Sequence, residues 1–303
     1  KKLQKSTIFF GNYLTHGGKT MIARRIPGIL PEMTEEEALE VTKIYSVRGL
    51  LTESEAWMAE RPFRNPHHTI TPQGLAGGGM VPGPGEISLA HHGVLFLDEL
   101  AEFRRETLEI LRQPMEEHCV KLARLAGNYE FPSDFMLVAA MNPCRCGYYP
   151  DLNRCHCTKG MVEQYLKKIS QPLLDRIDIC VETKRVEYQD LIKENPHQET
   201  SAEIRKRVVA AMERQQQRFA GTNIRYNSRI PAALLTKYCR LSTKQKQYME
   251  SIYQKLELTA RSYHRILRVA RTIADMDGSD EILTRHLSEA VCYRNVDKKF
   301  WEG

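Results

Sequence analysis

The stretch Gly93-Val94-Leu95-Phe96-Leu97-Asp98-Glu99-Leu100 decides the fold. Four consecutive apolar residues between a glycine and two carboxylates indicate a strand that is buried on both faces, as in a parallel sheet. Open α/β sheets bind their ligands at the carboxyl ends of such strands. Asp98 is therefore placed to hold Mg²⁺, and Glu99 to polarise a water molecule towards a γ-phosphate. A buried strand that ends in a solvated acidic turn is the alternative interpretation.

The first apolar segment of the chain leads into a phosphate-binding motif. Residues 6–10 are a predicted strand, the next loop ends in Gly17-Gly18-Lys19-Thr20, and a helix is predicted from Met21 to Arg25. At such a junction the backbone N–H groups can cradle phosphates, Lys19 can reach the β/γ-phosphates and the Thr20 hydroxyl can bind Mg²⁺. The usual pattern, G-x-x-x-x-G-K-[ST], needs glycine at position 13, where this chain has Tyr13. Either the loop departs from the usual geometry, or this stretch of sequence is imperfect.

Two further predicted strands carry polar residues at their ends. Residues 135–141 form a buried strand ending in Asn142, which lies beside Asp98 if the two strands are neighbours and could orient the attacking water. A simple strand-end turn is the alternative for Asn142. Arg176 stands at the entrance of the last strand, Ile177 to Val181. It could reach a neighbouring subunit, or form a salt bridge with Asp175 or Asp178 of its own chain.

Four of the eight cysteines form two pairs, Cys144-x-Cys146 and Cys155-x-Cys157. Paired thiols in a cytoplasmic protein predict a structural Zn²⁺ site, in which His156 could replace one thiolate. The pairs His67-His68 and His91-His92 are not expected to bind metal, because neighbours on a helix do not share a face.

Several segments around these motifs have readable local structure. Thr34 to Glu37 reads as a capping box that opens a helix through Tyr45. The glycine- and proline-rich residues 74–86 predict a projecting loop or hairpin before a short helix, Ile87 to His92. Further along, we expect a helix at 106–117 and a hairpin at 120–131 that turns at Gly127-Asn128.

Length and composition predict two domains without a membrane span. The 303 residues suffice for an α/β domain over residues 1–190 and a linker helix with a helical lid over residues 191–303. Lid helices are predicted at 201–219, 232–239, 243–256, 259–275 and 284–294. No run of eighteen apolar residues exists, and Lys1 to Lys5 lack a signal-peptide core, which favours the cytoplasm.

The positive charge is concentrated in the lid. The net charge of the chain is +6, and residues 201–250 hold eleven Lys/Arg against three Glu. Among them we assign Arg205, Arg207, Arg214 and Arg218 to a surface for a polyanion such as nucleic acid. A solvated helix face is the alternative.

The chain resembles the magnesium-chelatase-like group of AAA+ ATPases, in particular its competence-protein family. The run from Gly74 to Glu102 carries the most specific part of the resemblance. Other matching segments are Arg61 to His68, Ala139 to Cys144, Leu173 to Ile179 and Ala260 to Thr272. The Lon-protease-like N-terminal domain of that family has no counterpart here, so we expect this chain to be the motor portion.

The resemblance implies a fold and a role for individual residues. The fold is a three-layer P-loop domain with a parallel sheet and a C-terminal helical lid. Lys19 and Thr20 match the phosphate-binding motif, and Asp98 and Glu99 the acidic one. Asn142 matches the first sensor, Arg261 the second sensor, and Arg176 the arginine finger offered to a neighbour. Residues 74–86 resemble the helix-2 insert, and 121–131 the hairpin before the first sensor, both of which project towards the central pore of such rings.

Three functions follow as expectations. The resemblance implies a homo-oligomeric ring, a hexamer by expectation, that hydrolyses ATP with Mg²⁺ and acts on branched DNA during recombination of incoming strands. The second is a chelatase motor that drives metal insertion into a tetrapyrrole through a partner. The third is a nucleotide-binding scaffold that hydrolyses little. The basic lid and the cysteine pairs favour the first.

Overall fold

The computed structural model describes residues 6–10, 16–52, 56–124, 127–183 and 199–294. The strands in this part of the chain are β1 (Ser6–Phe10), β2 (Phe63–Arg64), β3 (Gly77–Gly78), β4 (Gly83–Pro84), β5 (Val94–Leu97), β6 (Cys119–Arg124), β7 (Gly127–Pro132), β8 (Met136–Met141) and β9 (Ile179–Glu182). Its helices are α1 (His16–Arg25), α2 (Glu35–Val47), α3 (Pro72–Ala76), α4 (Glu86–Leu89), α5 (Arg105–Glu109), α6 (Arg112–Glu117), α7 (Lys159–Leu166), α8 (Gln171–Leu174), α9 (Ser201–Arg218), α10 (Leu235–Tyr238), α11 (Thr243–Lys255), α12 (Ala260–Met276) and α13 (Thr284–Cys292). Among these described residues, none of the helices combines the length and apolarity needed to cross a bilayer.

A five-stranded sheet in the order β2-β5-β8-β1-β9 forms the centre of the first domain, and all its pairings are parallel. The residues of β5 are fully buried and alternate between two cores. Val94 and Phe96 pack with Ala23 of α1 on one face, whereas Leu95 and Leu97 belong to the larger core on the other. Helices and loops therefore cover both faces, which confirms the predicted three-layer α/β architecture.

The helices after residue 199 pack around a second core. Phe219, Ile266, Ile273 and Leu287 are buried there, which confirms the all-helical C-terminal region. The predicted lid helices are observed with their ends shifted by a residue or two, except that 232–239 is a 3₁₀ turn followed by the short helix α10. The predicted boundary at 190/191 lies within residues 184–198, outside the described residues, and stays a prediction.

The predicted helix over 106–117 is wrong, because α5 and α6 are separate. Pro114 has no N–H to donate, and its ring would clash with the carbonyl of Ile110 in a continuous helix. The 120–131 hairpin forms as β6 and β7, but its predicted turn is also wrong. Asn128 pairs with Ala123 and Gly127 with Arg124, so both predicted turn residues belong to the ladder instead.

The starts of α2 and α1 differ from the predicted ones. Thr34 caps α2 by accepting from the Glu37 N–H at 3.2 Å, but the Glu37 carboxylate binds Arg61 at 2.9 Å instead of closing a reciprocal capping box. The first helix begins at His16 rather than Met21, so Gly18, Lys19 and Thr20 all lie within α1.

Candidate active site

Lys19 lies near the N-terminus of α1 and points to the carboxyl edge of the sheet. Its side chain is buried, and Nζ donates to Asn142 Oδ1 at 2.8 Å and more weakly to the Met141 carbonyl at 3.4 Å. Burial lowers the pKa of Lys19, while the carboxylates of Asp98 and Glu99 act in the opposite direction. A buried ammonium at this edge is suited to an anionic group entering from solvent.

Thr20 and Asp98 bring two oxygen ligands together beside Lys19. The Thr20 hydroxyl donates to Asp98 Oδ2 at 2.7 Å, and Asp98 Oδ1 accepts from the Glu99 N–H at 2.9 Å. One hydroxyl and one carboxylate form the small, hard donor set that Mg²⁺ takes together with phosphate oxygens and water. These residues therefore fit the predicted magnesium site, while Gly18 directly precedes Lys19 in the same helical turn.

Glu99 follows Asp98 in a left-handed backbone conformation, with φ 50° and ψ 47°. This is uncommon for a residue with a side chain and is found where the surrounding structure determines the backbone. Its carboxylate is partly exposed and lies 3.3 Å from His68 Nδ1. His68 also packs edge-on to Phe103, with ring centroids 6.4 Å apart. Sequence reasoning considered His68 only as a metal ligand and missed this contact, because no local pattern links positions 68 and 99.

Asn142 completes the group because β8 lies between β1 and β5. Phe10 pairs with Met141 and Leu97 with Ala139, so the three strands end at one edge of the sheet. The structure thus brings together Gly18, Lys19, Thr20, Asp98, Glu99 and Asn142. Their individual roles stay predictions. Tyr13, where the motif departs from the usual pattern, lies outside the described residues.

Arg176 and Arg261 lie elsewhere, on one carboxylate. Glu116 Oε1 is 2.7 Å from Arg176 and 3.2 Å from Arg261, and Arg176 also donates to the Pro172 carbonyl at 2.6 Å. Glu116 was not foreseen as a partner of Arg176, and Asp178, one of the two expected alternatives, binds Arg265 at 2.9 Å.

These two arginines are far from Lys19 of the same chain. Arg176 precedes β9, so it lies at the amino edge of the sheet. Arg176 and Arg261 both line one cavity of about 440 Å³, which places Arg261 at that edge too. The six-residue strand β8 separates the two edges by roughly 17–20 Å, at about 3.3 Å per residue. Neither guanidinium therefore belongs to the group around Lys19.

The four paired cysteines converge. The Sγ atom of Cys144 lies 3.3 Å from that of Cys146 and 3.8 Å from that of Cys155, and all four Sγ atoms lie within 4.8 Å of one another. Burial works against the Cys146 thiolate. The N–H groups of Tyr148 and His156 and the thiols of Cys144 and Cys155 outweigh that effect and lower the pKa of Cys146 to about 6.

A second group of titratable residues forms at His91 and His92. The argument against their sharing a face was wrong, because α4 ends at Leu89 and His92 has φ +55°. Both Nε2 atoms meet Glu40 Oε2, at 3.0 and 2.7 Å. However, His91 Nδ1 accepts from the Asp134 N–H at 2.9 Å, so its Nε2 carries the proton and offers no lone pair to a metal.

The basic segment of the lid is partly used within the chain. Arg218 is bound to the fully buried carboxylate of Asp275, so its assignment to a polyanion surface is wrong. Arg205 donates to the Gly28 carbonyl, at 2.6 and 2.9 Å, and Arg207 and Arg214 form exposed ion pairs. Lys237, Arg240, Lys244 and Lys246 are exposed on α10, α11 and the turn between them.

Two family models match the chain. The model described as magnesium chelatase, subunit ChlI, matches residues 6–191, and that of its C-terminal part matches residues 198–294. The chain is similar to the uncharacterized protein YifB of Escherichia coli (strain K12), with 43% identity over 281 residues, 93% of this chain and 54% of the relative. It is 41% identical over 291 residues to the competence protein ComM of Haemophilus influenzae, covering 96% of this chain and 56% of the relative. The chain therefore spans just over half the length of these curated relatives.

Proposed function

Because the chain belongs to the magnesium chelatase ChlI family of AAA+ ATPases, we propose that it is the motor of a ring that hydrolyses ATP to move DNA. The observation that carries the proposal is the convergence of Lys19, Thr20, Asp98 and Asn142 at one sheet edge, with Glu99 beside them. These groups supply a phosphate-binding cation, magnesium ligands and a carboxylate that can polarise water.

The contacts around Lys19 suggest how the site responds to ATP. Lys19 donates to the neutral amide oxygen of Asn142, and an entering β/γ-phosphate would offer a charged and stronger acceptor. Lys19 would then exchange its partner, and the released Asn142 amide would orient the attacking water. Thr20 and Asp98 would hold Mg²⁺, which neutralises phosphate charge when bound. Glu99 would accept the water proton, with His68 fixing the position of its carboxylate.

The placement of Arg176 and Arg261 supports a ring. Both lie at the sheet edge opposite Lys19, too far away to act on the nucleotide of their own chain. In a head-to-tail ring that edge can face the Lys19 site of the next subunit, where an arginine finger contributes roughly 10³–10⁵ in rate. Glu116 would hold both guanidinium groups until the neighbouring phosphates attract them.

Three surface features favour DNA as the substrate. Met80 and Val81, at the tip of the β3–β4 hairpin, are almost completely exposed, and apolar side chains of this kind can wedge between base steps. The β6–β7 hairpin lies alongside, with Arg124 close to Gly78. The exposed basic residues of α10 and α11 offer a phosphate-binding surface. The name of one relative, a competence protein, points in the same direction.

ATP turnover measured with forked DNA, with single-stranded DNA and without DNA tests the proposal. We expect forked DNA to raise turnover several-fold and Lys19→Ala to abolish it. The double variant Met80→Ser, Val81→Ser should lower the ratio of turnover with DNA to turnover without it. Val47→Ser, which changes an exposed valine on α2, is the matched control and should keep that ratio.

Each contrary result favours a different function. Turnover that DNA does not change would refute the DNA motor and favour the chelatase-type motor, whose description the family model carries. Nucleotide binding without turnover would favour the scaffold. Unchanged turnover in Lys19→Ala would place the catalytic site elsewhere.

A further inference from the structure

The segment between β8 and α7 is long and irregular. Residues 142–158 contain neither helix nor strand, yet they begin at Asn142 in the active site and end at Thr158, which caps α7. Ordered loops of this length without secondary structure usually need a specific cross-link or function to hold them. The four paired cysteines all lie in this segment.

The positions of the sulfur atoms match a tetrahedral zinc thiolate. A Zn–S distance of about 2.3 Å in a tetrahedron separates the sulfurs by roughly 3.8 Å. The Sγ atoms of Cys144, Cys146 and Cys155 are 3.3, 3.5 and 3.8 Å apart, and the fourth sulfur, of Cys157, lies within 4.8 Å of the others. Disulfide bonds would need about 2.05 Å, so the sulfurs are spaced around a common centre rather than paired.

The backbone around the sulfurs supplies hydrogen-bond donors to three of them. The N–H of Tyr149 donates to Cys144, those of Tyr148 and His156 to Cys146, and that of Cys157 to Cys155. Such N–H donors stabilise the charge that sulfur carries as a metal ligand and fix its direction. Gly147, with φ +82°, makes the turn that presents two of these donors.

We propose that Cys144, Cys146, Cys155 and Cys157 bind one Zn²⁺ and that this ion fixes residues 142–158, so that Asn142 is held against Lys19. Asn142 is two residues from Cys144, and Gly147 lies against its amide, since a Cβ on Gly147 would be 3.9 Å from Asn142 Nδ2. The metal would therefore support the active site from outside the nucleotide pocket. The effect on ATP turnover rests on the proposed function, whereas the zinc site itself does not.

Metal analysis tests the site directly. Reduced protein washed with EDTA should contain about one zinc per chain, and a mercurial reagent should release it as the thiols react. Cys146→Ser and Cys157→Ser remove the two partly exposed ligands and should lose most of the zinc. Cys292→Ser, an exposed cysteine outside the cluster, is the control and should retain it. Cobalt added to zinc-stripped protein should give the spectrum of a tetrahedral thiolate complex.

Hydrogen exchange on the unaltered chain tests the second part without relying on variants. Removal of zinc by a strong chelator should increase exchange in residues 142–158, lower ATP turnover at least about 10-fold, and be reversed by added zinc, since a mispositioned catalytic group costs on the order of 10²-fold. Folded protein without zinc, with free thiols or with disulfides, would overturn the metal site. Zinc whose removal leaves exchange unchanged would overturn its positioning role. A chain that binds zinc but hydrolyses no ATP would refute only the proposed function.

Discussion

Mixing two inactive variants is the sharpest test of how Arg176 acts. Arg176→Ala subunits keep Lys19, and Lys19→Ala subunits keep Arg176, so each should be inactive alone if the arginine acts on a neighbour. In randomly mixed rings at equal amounts, half of the sites keep Lys19 and half of their neighbours keep Arg176. About one quarter of the interfaces should then be complete, because each head-to-tail interface takes one group from each subunit. Arg176→Ala alone should fall roughly 10³–10⁵-fold below the unaltered protein, the rate that an arginine finger contributes.

The contacts of Arg176 indicate that its variant should still fold. Arg176 is buried and bound to Glu116 at 2.7 Å, at the edge of the sheet opposite Lys19. Its loss leaves a half-exposed carboxylate that Arg261 still contacts at 3.2 Å, so the variant should fold with a modest loss of stability. Steady-state ATP turnover across mixing ratios is the assay, with co-assembly verified by differently tagged subunits. No recovery at any ratio in co-assembled rings would refute action on a neighbour.

Three further predictions concern charged or titratable residues of the site and the lid. Glu99→Gln should bind ATP but hydrolyse it roughly 10²–10⁴-fold more slowly, because the amide cannot take a proton. Measuring ATP affinity and turnover on the same variant checks that only turnover falls. His68→Ala should lower kcat by roughly 10-fold with little change in KM, since it removes only a partner of Glu99; an unchanged kcat would make that contact incidental. The double variant Lys244→Glu, Lys246→Glu should weaken DNA binding and flatten its salt dependence, because fewer counterions are released. The same salt slope in the variant and the unaltered protein would mean that this face of α11 contacts only solvent.

Much of the fold was readable from local sequence. Adjacent residues predict the strand ends at Asp98 and Asn142 and the helix start at the Gly-Lys-Thr junction. Their common edge then follows from parallel pairing. Where prediction failed, one residue decided against the longer pattern. Pro114 broke the expected helix, and the expected helix through His92 ended at Leu89, with His92 in a left-handed backbone conformation.

The amino-acid sequence by itself determined which functional groups are present and to which fold class the protein belongs. Only the tertiary structure decided which group meets which. Glu116 holds Arg261 from 145 residues away, His68 reaches Glu99, and Lys19 meets Asn142 across 123 positions. The physical reason is that secondary structure depends on residues a few positions apart. The partner of a charged side chain instead depends on which surfaces the packed cores bring together, where several acids of equal chemistry compete and geometry alone selects one.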